Sequence, residues 1–442
     1  MPLMLKRFAK WTLGAAAALV LLAVAMNAFD EDVRPEVKAY LEARPAAVPD
    51  ERNGYFHVVG LAAEAEEPHA AGRQHIAAVA QAQEKRVAGQ EVTWPGLKQL
   101  SLSGALRPGG DFCAMDFGTR CLENVRADES RARQLLAEHA LLLERYRKLL
   151  EYPEYVETHR VLDYEAPLPD YLPVMAGQRL FHIQSALRLK GRETLHVAYD
   201  LERSLKLGRR MLAGATTVLG KMVGAAHARR TALFISQMLP AVARADRKAL
   251  AALAESLAPL ATAERSLAPV YHAELALFAS ALHSCEEAEG ALACYFFQPN
   301  ATVNRHYFSF HKPFLAMEKA PAHRFDELRG ASGSAALPWW SMLYNPMGKL
   351  WLAGSTGPAP WDYVARLNDV DALFRLVALQ ALIGERGLKA AEVPAFLAES
   401  AARYGDPYSG KPMGWDPARR QLYFEPRGKF DGAEQRFAAG LI

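Results

Sequence analysis

Glu129 to Leu150 reads ESRARQLLAEHALLLERYRKLL. Its apolar positions, Leu135, Leu136, Leu142, Leu143, Tyr146, Leu149 and Leu150, recur at steps of three and four with charges between them, which lays one apolar stripe along a helix. The same spacing returns further along the chain. After a connection rich in Pro and Tyr (151–173), helical sequence runs from Val174 to Leu239 with a turn near Gly191. Its middle, MLAGATTVLGKMVGAA, is small and apolar. Arg210 and Lys221 bracket only ten residues, too few to span a bilayer, so this reads as a buried central helix. Gly220 and Gly224 stand one turn apart on it, a spacing that either permits close helix approach or is merely tolerated. Pro240 is expected to end it, with helices to follow over 246–258 and 263–284, from Ala301 capped by Asn300, and over PWDYVARLNDVDALFRLVALQALIGERG.

Upstream, HAAGRQHIAAVAQAQEKRVAG (69–89) reads as an Ala-rich helix, and 91–127 as irregular. NGYFHVVGL (53–61), aromatic and β-branched, reads as a short strand or extended segment. The tail changes character: Gly405, Asp406, Pro407, Ser409, Gly410 and Pro412 precede MGWDPARRQLYFEP, which alternates like a hairpin turning at Asp416-Pro417. The expected fold is therefore mainly α, a multi-helix globular body with a small C-terminal β-hairpin.

The composition fits a folded body, with 51% hydrophobic and 23% charged residues. A net charge of +3 arises from 52 basic and 49 acidic residues that are interspersed, so no nucleic-acid surface is indicated.

The start of the chain is different. WTLGAAAALVLLAVAMNAF (Trp11–Phe29) holds 19 residues without a charge, roughly 28 Å as a helix. Lys6, Arg7 and Lys10 precede it, and Asp30, Glu31 and Asp32 follow. The positive-inside rule then puts residues 1–10 in the cytoplasm and the body outside. This predicts a transmembrane helix over 11–29 contacting the lipid bilayer, a juxtamembrane linker over 30–52, a helical periplasmic body over 53–404 and a turn-rich tail over 405–442. The expected location is a bacterial inner membrane, single pass. A cleaved signal peptide is the competing reading, because Ala23-Val24-Ala25 has the form of a cleavage site.

Four cysteines form two close pairs, Cys113 with Cys121 and Cys285 with Cys294. Disulfides are the favoured reading and free thiols the next. Metal binding is least favoured because neither pair has zinc-knuckle spacing. Neither a metal nor a cofactor is expected.

NGYFHVVGL with PHAAGR after it, the cysteine pair near 113, LGRRMLAGATTVLGKMVGAAHARR and the closing DPYSGKPMGWD together resemble a group of uncharacterised single-span envelope proteins of Gram-negative bacteria. The closing motif is also similar to a DPFxGKPLxY element of exported bacterial proteins, with Tyr408 in place of its Phe and Met413 in place of its Leu. The resemblance implies export and brings no catalytic residue.

The sequence holds no HExxH, GxSxG, Walker or GxGxxG pattern. His272 and Glu274 stand two apart, on different helix faces. Glu64, Glu66, Glu67, His69 and His75 read as a solvated loop sooner than a weak cation site. The unusual cluster is His306, Tyr307, Phe308, Phe310, His311 and Lys312, followed by Trp339 and Trp340. Such residues either pack in a core or line a groove for a sugar or peptide. As a binding site the candidates are His306, Tyr307, His311, Trp339 and Trp340. The functional expectation is a binding or scaffold protein of the cell envelope, partnered by another envelope protein or cell-wall material. The alternative is an envelope hydrolase or transferase using His306, His311 and Glu318.

Overall fold

Apolar stripes of this kind are stable only when packed on one another, and the described chain is mainly helical with a small antiparallel sheet near its C-terminus. The computed structural model describes residues 2–43, 47–64, 67–88, 90–102, 104–106, 112–113, 121–189, 193–282, 290–319, 322–331, 338–354, 360–428 and 436–442. The first helices are α1 (Pro2–Met26), α2 (Pro35–Glu42), α3 (Gly54–Gly60), α4 (Pro68–Val87), α5 (Cys121–Ala127), α6 (Glu129–Glu138) and α7 (Ala140–Leu149). Next come α8 (Leu172–Arg188), α9 (Thr194–Gly214), α10 (Val218–Ala245), α11 (Ala249–Ser256), α12 (Thr262–Arg265) and α13 (Ala268–Ala281). Later helices include Pro299–His306, Lys312–Glu318, Pro346–Gly354, Pro360–Arg386 and Val393–Tyr404.

The stripe read in Glu129–Leu150 is real, broken at His139 into α6 and α7. Its members Leu135, Leu142, Tyr146 and Leu149 are buried. The centre of the core is α10, packed on α9 and on the long helix Pro360–Arg386. Pro240 lies inside α10, which runs on to Ala245. A proline there forfeits one backbone hydrogen bond, and the burial of Leu239 and Val242 on either side holds the helix together.

The segment 53–61 is helical, not a strand. Asn53 caps α3 by accepting from the Tyr55 amide, and α3 crosses α4 with backbone against backbone. A Cβ on Gly60 would lie 1.9 Å from the Pro68 carbonyl, and one on Gly72 1.9 Å from that of Phe56. This glycine-dependent crossing overrides the β propensity of Tyr55, Phe56, Val58 and Val59.

The tail forms β1 (Gly414–Asp416), β2 (Gln421–Phe424) and β3 (Phe437–Gly440), all antiparallel in the order β1-β2-β3. The expected hairpin is thus extended by a third strand. Asp416 accepts from the amides of Ala418 and Arg419 at the turn. The sheet docks on Pro360–Arg386, where Gln380 donates to the Gly440 carbonyl.

The N-terminal expectation is corrected. Among the described residues no helix is long and apolar enough to cross a membrane, which overturns the single-pass inner-membrane placement, the span over 11–29 and the periplasmic address built on it. Only Trp11 to Met26 of the uncharged run is helical, roughly 24 Å against a hydrocarbon core of about 30 Å. Beyond Met26 the chain is tied into the body. The buried Asn27 donates to the Leu343 carbonyl and accepts from the Asn345 amide. The acidic triplet that suggested an orientation has partners of its own. Asp30 accepts from the amides of Asn300 and Ala301 and so caps the helix Pro299–His306, the role expected of Asn300. Glu31 accepts from Asn304. Residues of the expected linker also pack, since Val37 on α2 is buried against Leu275 and Phe278 of α13.

Cys113 and Cys121 are disulfide-bonded and buried. Cys294 is disulfide-bonded as well, and Cys285 lies outside the described residues.

Candidate functional site

Between α7 and α8 the chain runs without helix across the junction of α9 and α10. Asn53 pins it there, its amide oxygen accepting from the Val156 amide and its amide group donating to the Val156 carbonyl. The Glu157 amide then donates to the Gly214 carbonyl at 3.0 Å. The Glu157 carboxylate, 2% exposed, is fully engaged. It accepts from the amides of Thr216 and Thr217, both at 2.8 Å, from the Thr217 hydroxyl at 3.0 Å, and from the hydroxyls of Tyr171 and Tyr155 at 2.5 and 3.2 Å. A carboxylate at the start of α10 answers both its free amides and its dipole. Gly220 makes room for it, because a Cβ there would stand 1.7 Å from Glu157 Oε1.

Two cavities open beside this clamp. The first, about 430 Å³, is bounded by Ala43 and Val48, by 156–160, by Ala213–Thr216, and by Pro269, His272 and Ala273 of α13. The second, about 410 Å³, is lined by His159, Val161, Leu168, Thr216–Leu219, Met222, Ala273, Glu274, Leu277, Tyr363 and Arg366. They share His159, Thr216 and Ala273 and so adjoin. Each is within the size range of small-molecule sites, roughly 300–1,000 Å³.

Three polar groups of the second cavity, Glu274, Arg366 and the His159 Nε2, differ from Glu157 in having no hydrogen bond or ion pair among the described residues. Glu274 forms neither a hydrogen bond nor an ion pair among the described residues, and burial raises its pKa. Arg366, half-buried, has no ion pair there either, and its Nε is buried without a hydrogen bond. Tyr363 stands near both charges, its pKa raised chiefly by burial, lowered by Arg366 and raised by Glu274. His159, 6% exposed, has an unpartnered Nε2. Burial first and His75 second depress its pKa, so the ring is held neutral. These groups could receive a ligand carrying charges and hydrogen-bonding atoms. The Thr217 hydroxyl on this cavity's lining is already spent, donating to Glu157 and accepting from the Gly220 amide.

Of the residues singled out in the sequence, His306, Tyr307 and His311 are brought together and the two tryptophans are not. Residues 307–311 form a π-helical turn between Pro299–His306 and Lys312–Glu318. It sets His306 in edge contact with His311, ring centroids 4.8 Å apart. His306 also packs on Phe278 at 4.3 Å, and His311 on Tyr271 at 5.6 Å. Burial depresses the pKa of His306 to about 4 and that of His311 to about 3, the latter helped by His306 and His272. Tyr40 bridges from this cluster to His272, at 4.9 Å, and His272 lines the first cavity. Trp339 and Trp340 lie on a separate short turn and are 71% and 61% exposed. Glu318 accepts from the Leu267 amide and from Ser266 and lines neither cavity.

Among the described residues no cluster of His, Cys, Asp and Glu could hold a metal ion. Glu67 instead caps α4, and His69 stacks on Tyr152. No protein-family model, curated protein or solved structure matches this chain.

The cavity residues His159 and Arg366 escaped the sequence reading, and Glu274 was weighed only beside His272, because the three come from distant segments. One signal was present. Glu274 is the single charged residue of α13, APVYHAELALFASA, and a charge in so apolar a helix has to face a partner or a cavity.

Proposed function

We propose that this chain is a binding protein that takes a small polar molecule into the paired cavities beside α10 and does not turn it over. The observation that carries this reading is that a carboxylate, Glu274, and a guanidinium, Arg366, both without an ion pair among the described residues, line one cavity. Unpaired charge withdrawn from water is costly, and a ligand that supplies the missing partners recovers that cost. Binding is favoured over hydrolysis or group transfer because His306 and His311 are packed among aromatic rings and line neither cavity.

The test is direct. Protein purified without denaturation is unfolded, and the released small molecules are identified by mass spectrometry. A stoichiometric compound is expected from the parent chain and should be lost from an Arg366→Ala, Glu274→Gln double variant. The same compound released equally from both would show that it is held elsewhere and would remove the reading.

A further inference from the structure

Glu274 and Arg366 face one cavity and do not close on each other, since no ion pair joins them. Two opposite charges with only a structural duty would gain by pairing directly. Lining one cavity without pairing, they suit a molecule that carries both charges itself. A ligand with one charge would leave one wall unsatisfied. We infer that the second cavity takes a zwitterion, an α-amino acid or a short peptide, whose ammonium group pairs with Glu274 and whose carboxylate pairs with Arg366. This deepens the binding reading above and rests on it.

Three further observations fit that chemistry. Tyr363 senses both charges, so the two walls are within electrostatic reach of one bound molecule. His159, a side chain more than nine-tenths buried whose Nε2 has no partner, lines both cavities and so puts a polar ring on their shared wall. Past that boundary, the first cavity is walled largely by small apolar groups, Ala213, Ala215, Pro269 and Ala273 among them. It would accept a compact aliphatic side chain and would offer a longer polar one few partners.

The experiment uses the full chain with L-leucine and L-alanyl-L-leucine as probes, each compared with its N-acetyl form, which lacks the ammonium group, and its amide, which lacks the carboxylate. Binding is read by calorimetry and by the shift in Tm. Unmodified probes should raise Tm, and either blocked form should bind at least tenfold more weakly. Glu274→Gln should erase the preference for the free ammonium group, and Arg366→Met that for the free carboxylate. The blocked probes alter no residue, so the conclusion survives even if a variant misfolds. Equal binding of the N-acetyl form overturns the zwitterion while leaving an anion-binding cavity. Equal binding of the amide overturns it in favour of a cation. If none of these probes binds yet a compound co-purifies, the ligand class is wrong and the binding reading stands. Should nothing co-purify either, both fall.

Discussion

Two polar regions lie close together in this molecule and are built on opposite terms. One is closed. Tyr146 joins Ser204 at 2.9 Å and His227 at 2.7 Å, Gln178 donates to the His227 carbonyl and to Thr231, and nearby the Glu157 carboxylate accepts from six described donors around Gly220. The other is open, with Glu274 and Arg366 lining a cavity and, like the buried His159 Nε2 beside them, unpaired within the described chain. Buried polar groups normally find partners. A set that does so is framework, and a set left without partners beside a space large enough for a ligand is the better candidate for function. Substitution should separate the two, with framework changes costing stability and cavity changes costing only binding.

The largest effect is expected at Gly220→Ala, because the added Cβ would fall 1.7 Å from Glu157 Oε1 and force the carboxylate out of its ring of donors. Disrupting a buried, fully bonded charge costs about 3 kcal/mol or more. Urea denaturation measures it, and a variant as stable as the parent would mean that the clamp is not structural. Next is Tyr146→Phe, which removes one oxygen and leaves Ser204 and His227 each short of a partner. A loss of about 1–3 kcal/mol follows from unsatisfied buried groups. No change in the denaturation midpoint would place those groups outside the framework.

The closed region was partly legible in the sequence and the open one was not. The stripe of Leu135, Leu142, Tyr146 and Leu149 exposed its buried face through local spacing. Gly220 and Gly224 left room for a close approach, although spacing could not say whether one occurs or of what. For Gly224 it is the backbone of α9 near Met211 and Leu212, and for Gly220 it is the carboxylate of Glu157. Local pattern misled in two places for one reason. Tyr55 to Val59 carry β propensity and Trp11 to Phe29 carry hydropathy, and in both the tertiary partners decide: Gly72 across from α3, and Leu343, Asn345 and Asn300 beyond the end of α1. The cavity had no local pattern at all, because 159, 274 and 366 meet only through the fold.

A third and smaller effect comes from acid. Burial depresses the pKa of His57 to about 4 and, with Arg230 and Arg210 adding, that of His227 to about 3, both from 6.5. The unfolded chain therefore binds more protons than the folded one between about pH 6.5 and 4, so stability falls as pH drops through that window. Asp369 works the other way. Burial raises its pKa to about 6, which favours the folded chain as pH falls. The histidine share is isolated by comparison. The urea midpoint of the parent should fall more steeply from about pH 7 to 5 than that of His227→Gln, since the glutamine has no proton to take up. Parallel profiles would show that His227 is not held neutral.

The smallest effect on stability is expected where the binding site is proposed. Glu274 has no hydrogen bond or ion pair to lose among the described residues, and burial already disfavours its charged form. Glu274→Gln keeps the shape, removes the charge and breaks no hydrogen bond or ion pair of the described residues, so stability should stay level or rise by up to about 1 kcal/mol. Because burial raises the Glu274 pKa above its unfolded value, any gain should be present above that raised pKa and vanish as pH falls below the unfolded one, where the carboxyl is protonated in both states. A structural carboxylate such as Glu157 would behave differently, because its replacement forfeits the hydrogen bonds of its ring of donors. The deciding measurement is the urea midpoint of Glu274→Gln beside that of Glu157→Gln, at neutral and mildly acid pH. A large loss at Glu274 would mean that it has a partner in the folded chain, and the open region would then be framework like the closed one.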